Sequence, residues 1–238
     1  MMERLLAVQE LSAWYQPGQR VLAGLSMELK SHEIVGLIGL NGAGKTTLIS
    51  LLSGLHEGYC FGEEGRKTAG FWFHETAAGF RDSGFKRCRY TVFAEDHAFA
   101  YFTFREYLSY VLAAYGKEPQ GVEELVEGFQ FEAYEDSLLG ELSTGNRKKA
   151  FLITAFALGT ELLFLDEPVN GLDFQSTEFL YRQMAEYKKR GSILFASHIL
   201  ESITLTADRA LVLKEGRIDR QFDKPGQDPR RIREALYG

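Results

Sequence analysis

The amino-acid sequence predicts an α/β fold: a mixed central sheet with an antiparallel β layer and an inserted helical subdomain. Two short apolar runs, 34–38 and 161–166, have the length and composition of buried strands, and a helical pattern follows each one. An amphipathic helix over 103–115 and an apolar helix ending near residue 158 lie between these runs along the chain. Helices between two buried strands are typical of α/β architecture, here with an insertion.

The composition restricts the class of protein. The chain has 238 residues and a net charge of −6, which argues against nucleic acid as the main partner because phosphate binding needs a basic face. Cys60 and Cys88 are too few for a disulfide framework and lack zinc-site spacing. No apolar run reaches the length of a membrane span and no signal-peptide pattern precedes the first strand. We therefore expect a cytoplasmic protein with reduced thiols, whose membrane role would depend on a partner.

The first part of the chain predicts an antiparallel strand pair over 4–9 and 20–29, joined by a turn at 16–18. Trp14 and Tyr15 lie near the end of the first strand. Such aromatic residues either cover an edge of the core or, placed before a nucleotide site, stack on a base. The sequence leaves both interpretations open.

A glycine-rich stretch connects the strand at 34–38 to a helix that ends near Gly54. Its backbone N–H groups can surround phosphate oxygens, and the following helix adds its positive N-terminus. In this strand–turn–helix context the pattern G-x-x-x-x-G-K-[ST] predicts binding of a nucleoside triphosphate. Lys45 would reach the β- and γ-phosphates, and the Thr46 hydroxyl would ligate Mg²⁺. The candidate binding residues are Gly39, Asn41, Gly42, Ala43, Gly44, Lys45, Thr46 and Thr47.

The secondary structure of residues 55–93 is the hardest to predict from the sequence. They combine glycines and aromatic residues with the basic residues Arg81, Lys86, Arg87 and Arg89. Basic residues between aromatic ones can bind nucleic acid. We favour an antiparallel β layer with a solvated, charged face.

Two helices are predicted to form the subdomain. The first covers 103–115 with Thr103 as its N-cap, and a shorter one lies near 121–129. Phe99, Tyr101 and Phe102 precede the first helix, where they either pack in the core or meet a partner.

Ser143 and Gly145 open the apolar helix that runs through 158. Alone, they make a good helix start; the functional interpretation is an anion site at the helix N-terminus. The strand at 161–166 then ends in Asp166, followed by Glu167. This strand brings two carboxylates beside the phosphate-binding loop, which predicts that Asp166 holds Mg²⁺. Glu167 would act as the general base that activates water, and general-base catalysis contributes about 10²–10⁴-fold in rate.

The last third of the chain predicts a helix over 173–189 and a strand at 193–196. His198 follows that strand at the sheet edge where the predicted phosphate-binding residues also lie. This position favours a contact with the γ-phosphate. Strands near 209–213 and 217–222 and a short charged helix at 228–237 complete the prediction.

The ordered motifs resemble the ATP-binding cassette (ABC) ATPases over residues 4–220. The motifs are the phosphate-binding loop, the Leu-Ser-x-Gly helix start, the Asp-Glu strand end, Gly-Leu-Asp and Ser-His. The resemblance implies a P-loop NTPase fold of ABC type, formed by one domain over 1–238. Its core with the β layer would span 1–93 and 159–222, its helical part with the signature helix 94–158, and its tail 223–238.

The resemblance also implies roles for individual residues. Tyr15 would stack on adenine, Asp173 would be the D-loop acid and His198 the switch histidine. The signature motif, 142–146, would close over ATP bound to a second subunit in a head-to-tail dimer, a homodimer or a pseudodimer, so that Ser143 and Gly145 contact the partner's nucleotide. ATP and Mg²⁺ are the implied ligands, and a membrane permease is the implied partner.

Two positions depart from the family pattern. Thr144 and Asn146 replace a glycine and a glutamine of the usual signature, although Ser143 remains. Counting back from Thr103, the usual Q-loop glutamine falls on Ala94, which cannot ligate Mg²⁺ or position water. The alternative is that Glu95 takes this role, with the alignment shifted by one residue.

Several segments look most similar to single-cassette subunits of bacterial ABC-2-type and Ecs-type exporters. We expect an ATPase subunit that powers a separate permease from the inner face of the cell membrane. An alternative is a regulatory cassette with weak hydrolysis, which the altered signature and Ala94 would favour. A soluble ABC protein acting on DNA or ribosomes is disfavoured by the acidic charge and the single cassette.

Overall fold

The computed structural model describes residues 3–62, 69–96 and 98–238, whose strands form two sheets. The strands are β1 (Arg4–Gln16), β2 (Gln19–Lys30), β3 (Ile34–Ile38), β4 (Tyr59–Phe61), β5 (Gly70–Phe73), β6 (Thr76–Ala77), β7 (Arg89–Val92), β8 (Leu162–Asp166), β9 (Ser192–Ser197), β10 (Arg209–Lys214) and β11 (Arg217–Asp223). The helices are α1 (Lys45–Leu52), α2 (Ser83–Cys88), α3 (Phe104–Tyr115), α4 (Val122–Gly128), α5 (Thr144–Leu158), α6 (Phe174–Tyr187), α7 (Leu200–Thr206) and α8 (Pro229–Tyr237).

The central sheet is mixed. Its described strands follow the order β11-β10-β3-β9-β8-β7. The strands from β10 to β7 run parallel, and β11 pairs antiparallel with β10 at one edge. Every residue of β3, β8 and β9 is buried, as expected for parallel strands covered on both faces. The predicted mixed α/β fold is confirmed.

The second sheet is the antiparallel β layer. β1 pairs with β2, β4 and β5, and β5 pairs with β6. β1 continues to Gln16, well beyond the predicted end at residue 9. The pairing with β2 shifts register between Val8 and Leu11, where Glu10 has a φ of 56°. This irregularity interrupts the alternation of apolar residues, so the sequence pattern ends before the strand does.

The prediction for residues 55–93 is partly wrong, and its residues 63–68 lie outside the described part. β4, β5 and β6 do belong to the antiparallel layer, but α2 follows them and β7 is a parallel strand of the central sheet. Arg81, Lys86 and Arg87 are exposed as predicted. Arg89 is buried: it donates hydrogen bonds to the carbonyls of Ser53 and Phe80. Burial lowers the pKa of Arg89 to about 10.

The central sheet separates two cores. Ile34 and Ile38 of β3 face a core shared with α3, α5 and α6, whereas Val35 and Leu37 face a core shared with α1 and the antiparallel layer. This alternation follows from the two-residue period of a strand. Each core therefore holds one face of the strand that leads into the phosphate-binding loop.

The helical insertion follows its predicted signals. Thr103 caps α3 with a capping box: its hydroxyl accepts from the Glu106 N–H, and the Glu106 carboxylate accepts from the Thr103 N–H. The helices α3, α4 and α5 lie between β7 and β8 along the chain, and α5 packs against β7, α3 and α4. Among the described residues, no helix is both long and apolar enough to cross a membrane. The division of the chain at residues 94 and 158 stays a prediction.

A buried ion pair fixes the register of the sheet. Arg209 donates to both carboxylate oxygens of Glu33 at 2.8 Å, and both side chains are less than a tenth exposed. Glu33 precedes β3 and Arg209 begins β10, where it pairs with Val35. Two parallel N–H···O bonds of this kind specify geometry as well as energy. The pair therefore helps align the strand ends at the opposite edge.

Candidate functional site

The carboxyl ends of three parallel strands meet at one edge of the central sheet. Ile38 of β3 pairs with Ser197 of β9, and Asp166 of β8 pairs with Ala196. The loop after β3, the carboxylates after β8 and the histidine after β9 therefore lie side by side, as ligand-binding residues do in open α/β sheets.

These loops surround an open groove of about 610 Å³. Most of the predicted nucleotide-binding residues line this groove. The lining residues are Tyr15, Val21, Asn41, Gly42, Gly44, Lys45, Thr46, Thr47, Glu167, Asn170 and His198.

The phosphate-binding loop has the backbone that its sequence demands. Gly44 has a φ of 106°, and a Cβ at this position would lie 2.7 Å from Leu22 Cδ2. Only glycine satisfies both constraints without strain. α1 begins at the next residue, Lys45, so its free N–H groups face the loop and can bind an anion.

The Lys45 ammonium lies inside the loop. It donates to the carbonyl oxygens of Gly39 at 2.8 Å and Leu40 at 3.3 Å, and it is 3.7 Å from Glu167 Oε1. Its side chain is only 7% exposed. A buried ammonium within the phosphate-binding loop is suited to binding phosphate oxygens.

Thr46 and Asp166 form a pair suited to Mg²⁺. The Thr46 hydroxyl donates to Asp166 Oδ2 at 2.8 Å. The other carboxylate oxygen, Oδ1, is buried and has no hydrogen-bond partner among the described residues. Burial raises the pKa of Asp166, while the hydrogen bond from Thr46 opposes that effect. Because Mg²⁺ in nucleotide sites takes one or two protein oxygens beside the phosphates, this hydroxyl and carboxylate fit the ion.

Glu167 and His198 are in direct contact. His198 Nδ1 lies 2.9 Å from Glu167 Oε2, and the His198 N–H donates to the same oxygen at 3.3 Å. Glu167 is buried and has a φ of 48°, an unfavourable conformation for a residue with a side chain. Its N–H donates to the carbonyl of Ala196 in β9, which holds the strained backbone in place. Glu167 and His198 both line the groove, so this contact between a carboxylate and an imidazole lies at its wall.

Tyr15 lies at the other end of the groove. It is 63% exposed, its hydroxyl lies 3.3 Å from Thr47 Oγ1, and its ring meets His56 edge-on with centroids 4.6 Å apart. An exposed aromatic ring that the groove already includes is suited to stacking on a base. Trp14 does not line the groove, which favours Tyr15 of the two aromatic candidates.

Ser143 and Gly145 do not line the groove of their own chain. The Ser143 hydroxyl caps α5 by accepting from the Asn146 N–H at 3.2 Å. A Cβ on Gly145 would lie 2.3 Å from the Gly171 carbonyl oxygen, so this glycine permits close contact between α5 and the loop before α6. Most of the predicted site residues thus lie at one edge of the central sheet, whereas the start of α5 lies outside the groove.

Asp173 likewise lies outside the groove. Its carboxylate caps α6 through the Ser176 N–H and accepts from the Lys149 ammonium at 2.8 Å. The Lys149 hydrogen bond, followed by that of Ser176, holds the pKa of Asp173 well below its usual range. The predicted D-loop acid is therefore tied to the predicted signature helix.

Sequence reasoning missed two lysines of α5. Lys148 and Lys149 are both buried and both bond to loops, Lys148 to residues 93 and 94 and Lys149 to Asp173. The available signal was their position at the start of an otherwise apolar helix, since buried lysines are rare unless paired. Asn170 was not predicted to line the groove either.

The comparisons with known proteins agree with this geometry. Residues 22–170 match the family model described as "ABC transporter". The chain is 36% identical over 223 residues to the putative ABC transporter ATP-binding protein AlbC of Bacillus subtilis, covering 91% of this chain and 90% of that protein. It is 32% identical to the ABC-type transporter ATP-binding protein EcsA of B. subtilis, covering 90% and 85%. It is 29% identical to the SkfA peptide export ATP-binding protein SkfE of B. subtilis, covering 90% and 87%.

A solved structure has the same fold. A protein described as the ATP-binding subunit of an ABC transporter superposes with a TM-score of 0.81 at 28% identity, covering 98% of this chain and 95% of that one. The predicted resemblance to ABC ATPases, including the Ecs-type group, is confirmed.

The contact between Gly145 and Gly171 generates a prediction. Replacing Gly145 with alanine should lower the free energy of unfolding by about 1–3 kcal/mol, because the added methyl group overpacks against a backbone carbonyl. Chemical denaturation measures the change. Gly84→Ala is the matched control: Gly84 lies in helix α2 with no atom near its Cβ position, so alanine there should leave stability unchanged or raise it. Equal stability of Gly145→Ala and wild type would show that the contact is not tight.

Proposed function

This chain belongs to the ABC transporter family of ATPases, and we propose that it is the ATP-hydrolysing subunit of a membrane exporter, acting as a head-to-tail dimer. One observation carries the hydrolytic part. At a single sheet edge, a buried carboxylate contacts both a phosphate-loop lysine and a histidine: Glu167 lies 3.7 Å from Lys45 and 2.9 Å from His198. ABC ATP-binding subunits work with membrane permease components, and the proposal extends this partnership to the chain described here.

Binding of ATP would follow from the groove. The loop from Gly39 to Thr47 would surround the β- and γ-phosphates with backbone N–H groups, and Lys45 would exchange its carbonyl contacts for phosphate oxygens. The exposed ring of Tyr15 would stack on adenine. Thr46 and Asp166 would hold Mg²⁺, which supplies charge stabilisation at the transferred phosphoryl group.

Hydrolysis would depend on Glu167. Its carboxylate would accept a proton from a water molecule that attacks the γ-phosphorus in line. His198 would hold the carboxylate through Nδ1, and its position in the lining of the groove would bring it close to the γ-phosphate. The contacts of the carboxylate with Lys45 and His198 would hold it in place, so little reorganisation would precede the proton transfer.

The dimer proposal rests on the position of the signature helix. Ser143 and Gly145 lie at the N-terminus of α5, which is suited to a phosphate, yet they do not line the groove of their own chain. A second copy, arranged head to tail, would bring its α5 to this groove and complete it. Asp173 would approach the same interface on the adjoining loop.

The exporter proposal rests on similarity and on the surface of the helical part. SkfE, whose name describes peptide export, is a relative over 90% of this chain. Tyr101, just before α3, is 90% exposed and Tyr110, within α3, is 53% exposed, and these rings would provide an aromatic surface for a permease. The chain would then act at the cytoplasmic face of the membrane as a peripheral subunit. The net charge of −6 supports a partner other than nucleic acid.

The base assignment predicts a specific loss. Glu167→Gln should keep ATP affinity within about twofold and reduce steady-state turnover by at least about 10²-fold, because the amide cannot accept the water proton. Phosphate release and equilibrium nucleotide binding measure the two quantities. Lys45→Ala, which should bind ATP poorly, defines the background rate.

Two outcomes would contradict the proposal. Turnover of Glu167→Gln equal to that of wild type would remove Glu167 as the base. Wild-type turnover equal to that of Lys45→Ala, with and without the membrane partner, would favour the regulatory cassette suggested by Thr144, Asn146 and Ala94.

A mixing experiment tests the head-to-tail dimer. Ser143→Asp keeps an N-cap residue but places a carboxylate where a phosphate would lie, so this variant and Lys45→Ala should each be inactive alone. In a 1:1 mixture about half of the dimers are mixed and each contains one intact site, so we expect roughly a quarter of wild-type turnover. A mixture as inactive as the separate variants would show that both residues serve one site within a single chain.

A further inference from the structure

The loop at 93–96 connects β7 to the helical insertion. In the family pattern a glutamine of this loop serves the hydrolytic site, and in this chain the corresponding position is Ala94. A methyl side chain has no polar atom with which to connect the loop to the site. The structure shows a different connection, which starts from the signature helix.

Lys148 of α5 makes this connection. Its ammonium donates to the carbonyl oxygens of Phe93 and Ala94, both at 2.8 Å. Lys148 is 3% exposed, so the two hydrogen bonds form in a water-poor environment. Hydrogen bonds from a charged donor are about twice as strong as neutral ones, and breaking them inside the protein leaves a buried charge without partners. The loop and the helix are therefore held together at this point.

Lys148 interacts electrostatically with the carboxylates of the proposed hydrolytic site. Burial lowers its pKa to about 8, while Asp166, Glu167, Asp96 and Glu95 oppose that effect in this order. Its two largest electrostatic partners are thus the proposed Mg²⁺ ligand and the proposed general base. The loop that Lys148 holds also lies beside these carboxylates, because Val92 at the end of β7 pairs with Leu165, the residue before Asp166.

Lys117, which follows α3, makes a comparable contact with α5 away from the site. Lys117 donates to the Gly159 carbonyl at the opposite end of α5. The carboxylate that affects its pKa is Glu161, and neither Asp166 nor Glu167 does so. Lys117 thus makes the same kind of bond to α5 without the connection to the site.

We propose that Lys148 is a positioning residue for ATP hydrolysis. It holds the loop at 93–96 against the signature helix and beside Asp166 and Glu167, and it does so in place of the missing loop glutamine. A permease segment that displaced this loop would have to break both carbonyl contacts of Lys148. The position of the loop and the electrostatics of Asp166 and Glu167 would then change together. This inference rests on the proposed ATPase function of the same site.

The test compares Lys148→Met, Lys148→Arg and the control Lys117→Met in the full chain, with ATP as substrate. We expect Lys148→Met to lower kcat by roughly tenfold to a hundredfold with KM within about twofold, since misplacement by about 1 Å can cost that much. Lys148→Arg, which keeps charged donors, should recover most of kcat. Lys117→Met should keep kcat within about twofold.

Hydrogen exchange adds a second measurement. The amides of β7, the strand that pairs with β8 and leads into this loop, should lose protection in Lys148→Met and keep it in Lys117→Met. If Lys148→Met fails to fold, Lys148→Gln replaces it, with an expected loss in kcat of about tenfold because an uncharged donor remains.

Three results would overturn the inference. The first is a kcat of the methionine or glutamine variant within twofold of wild type, and the second is an equal loss in Lys117→Met. The third is a kcat of Lys148→Arg as low as that of Lys148→Met at unchanged stability. The proposed function is judged separately: it fails if wild-type turnover does not exceed that of Lys45→Ala, whatever the Lys148 variants do.

Discussion

The parallel pairing of β3, β8 and β9 is the constraint on which the site depends. The pairs Ile38 with Ser197 and Asp166 with Ala196 bring three chain segments, far apart in sequence, to one sheet edge. A shift by one residue in any of these strands would reverse the direction of every side chain in it. The complete burial of the three strands and the Arg209–Glu33 pair oppose such a shift. The register of the core therefore determines the geometry of the site.

The groove contains charges that folding alone does not explain. Lys45, Asp166 and Glu167 are each less than a tenth exposed, and one Asp166 oxygen has no partner among the described residues. Burying such groups without full compensation reduces stability. The positive φ of Glu167 adds strain at the same place. Costs concentrated at one edge are typical of a functional site, where the surrounding structure holds strained and buried groups in place.

The sequence predicted the elements whose signals are local. The strand at 34–38, the phosphate-binding loop and the capped start of α3 depend on composition, glycine spacing and a capping box within a few residues. The parallel strand β7 was missed because four residues beside a basic cluster carry no clear period, and its place in the sheet depends on the distant strand β8. Arg89 and Lys148 were missed for a related reason: each is buried and donates to a carbonyl oxygen far away in the chain, Arg89 to Ser53 and Lys148 to Phe93.

The contacts of α5 hold its N-terminus in place within a single chain. Lys149 ties the start of the helix to Asp173, Gly145 lets the helix touch Gly171, and Lys148 ties it to the loop before α3. Three contacts in different directions fix a helix N-terminus more firmly than its cap alone. In a dimer, Ser143 and the loop that carries Asp173 would therefore contact the second subunit together, as one rigid unit. A nucleotide between two such subunits would need little rearrangement of either, which lowers the entropic cost of closing the dimer.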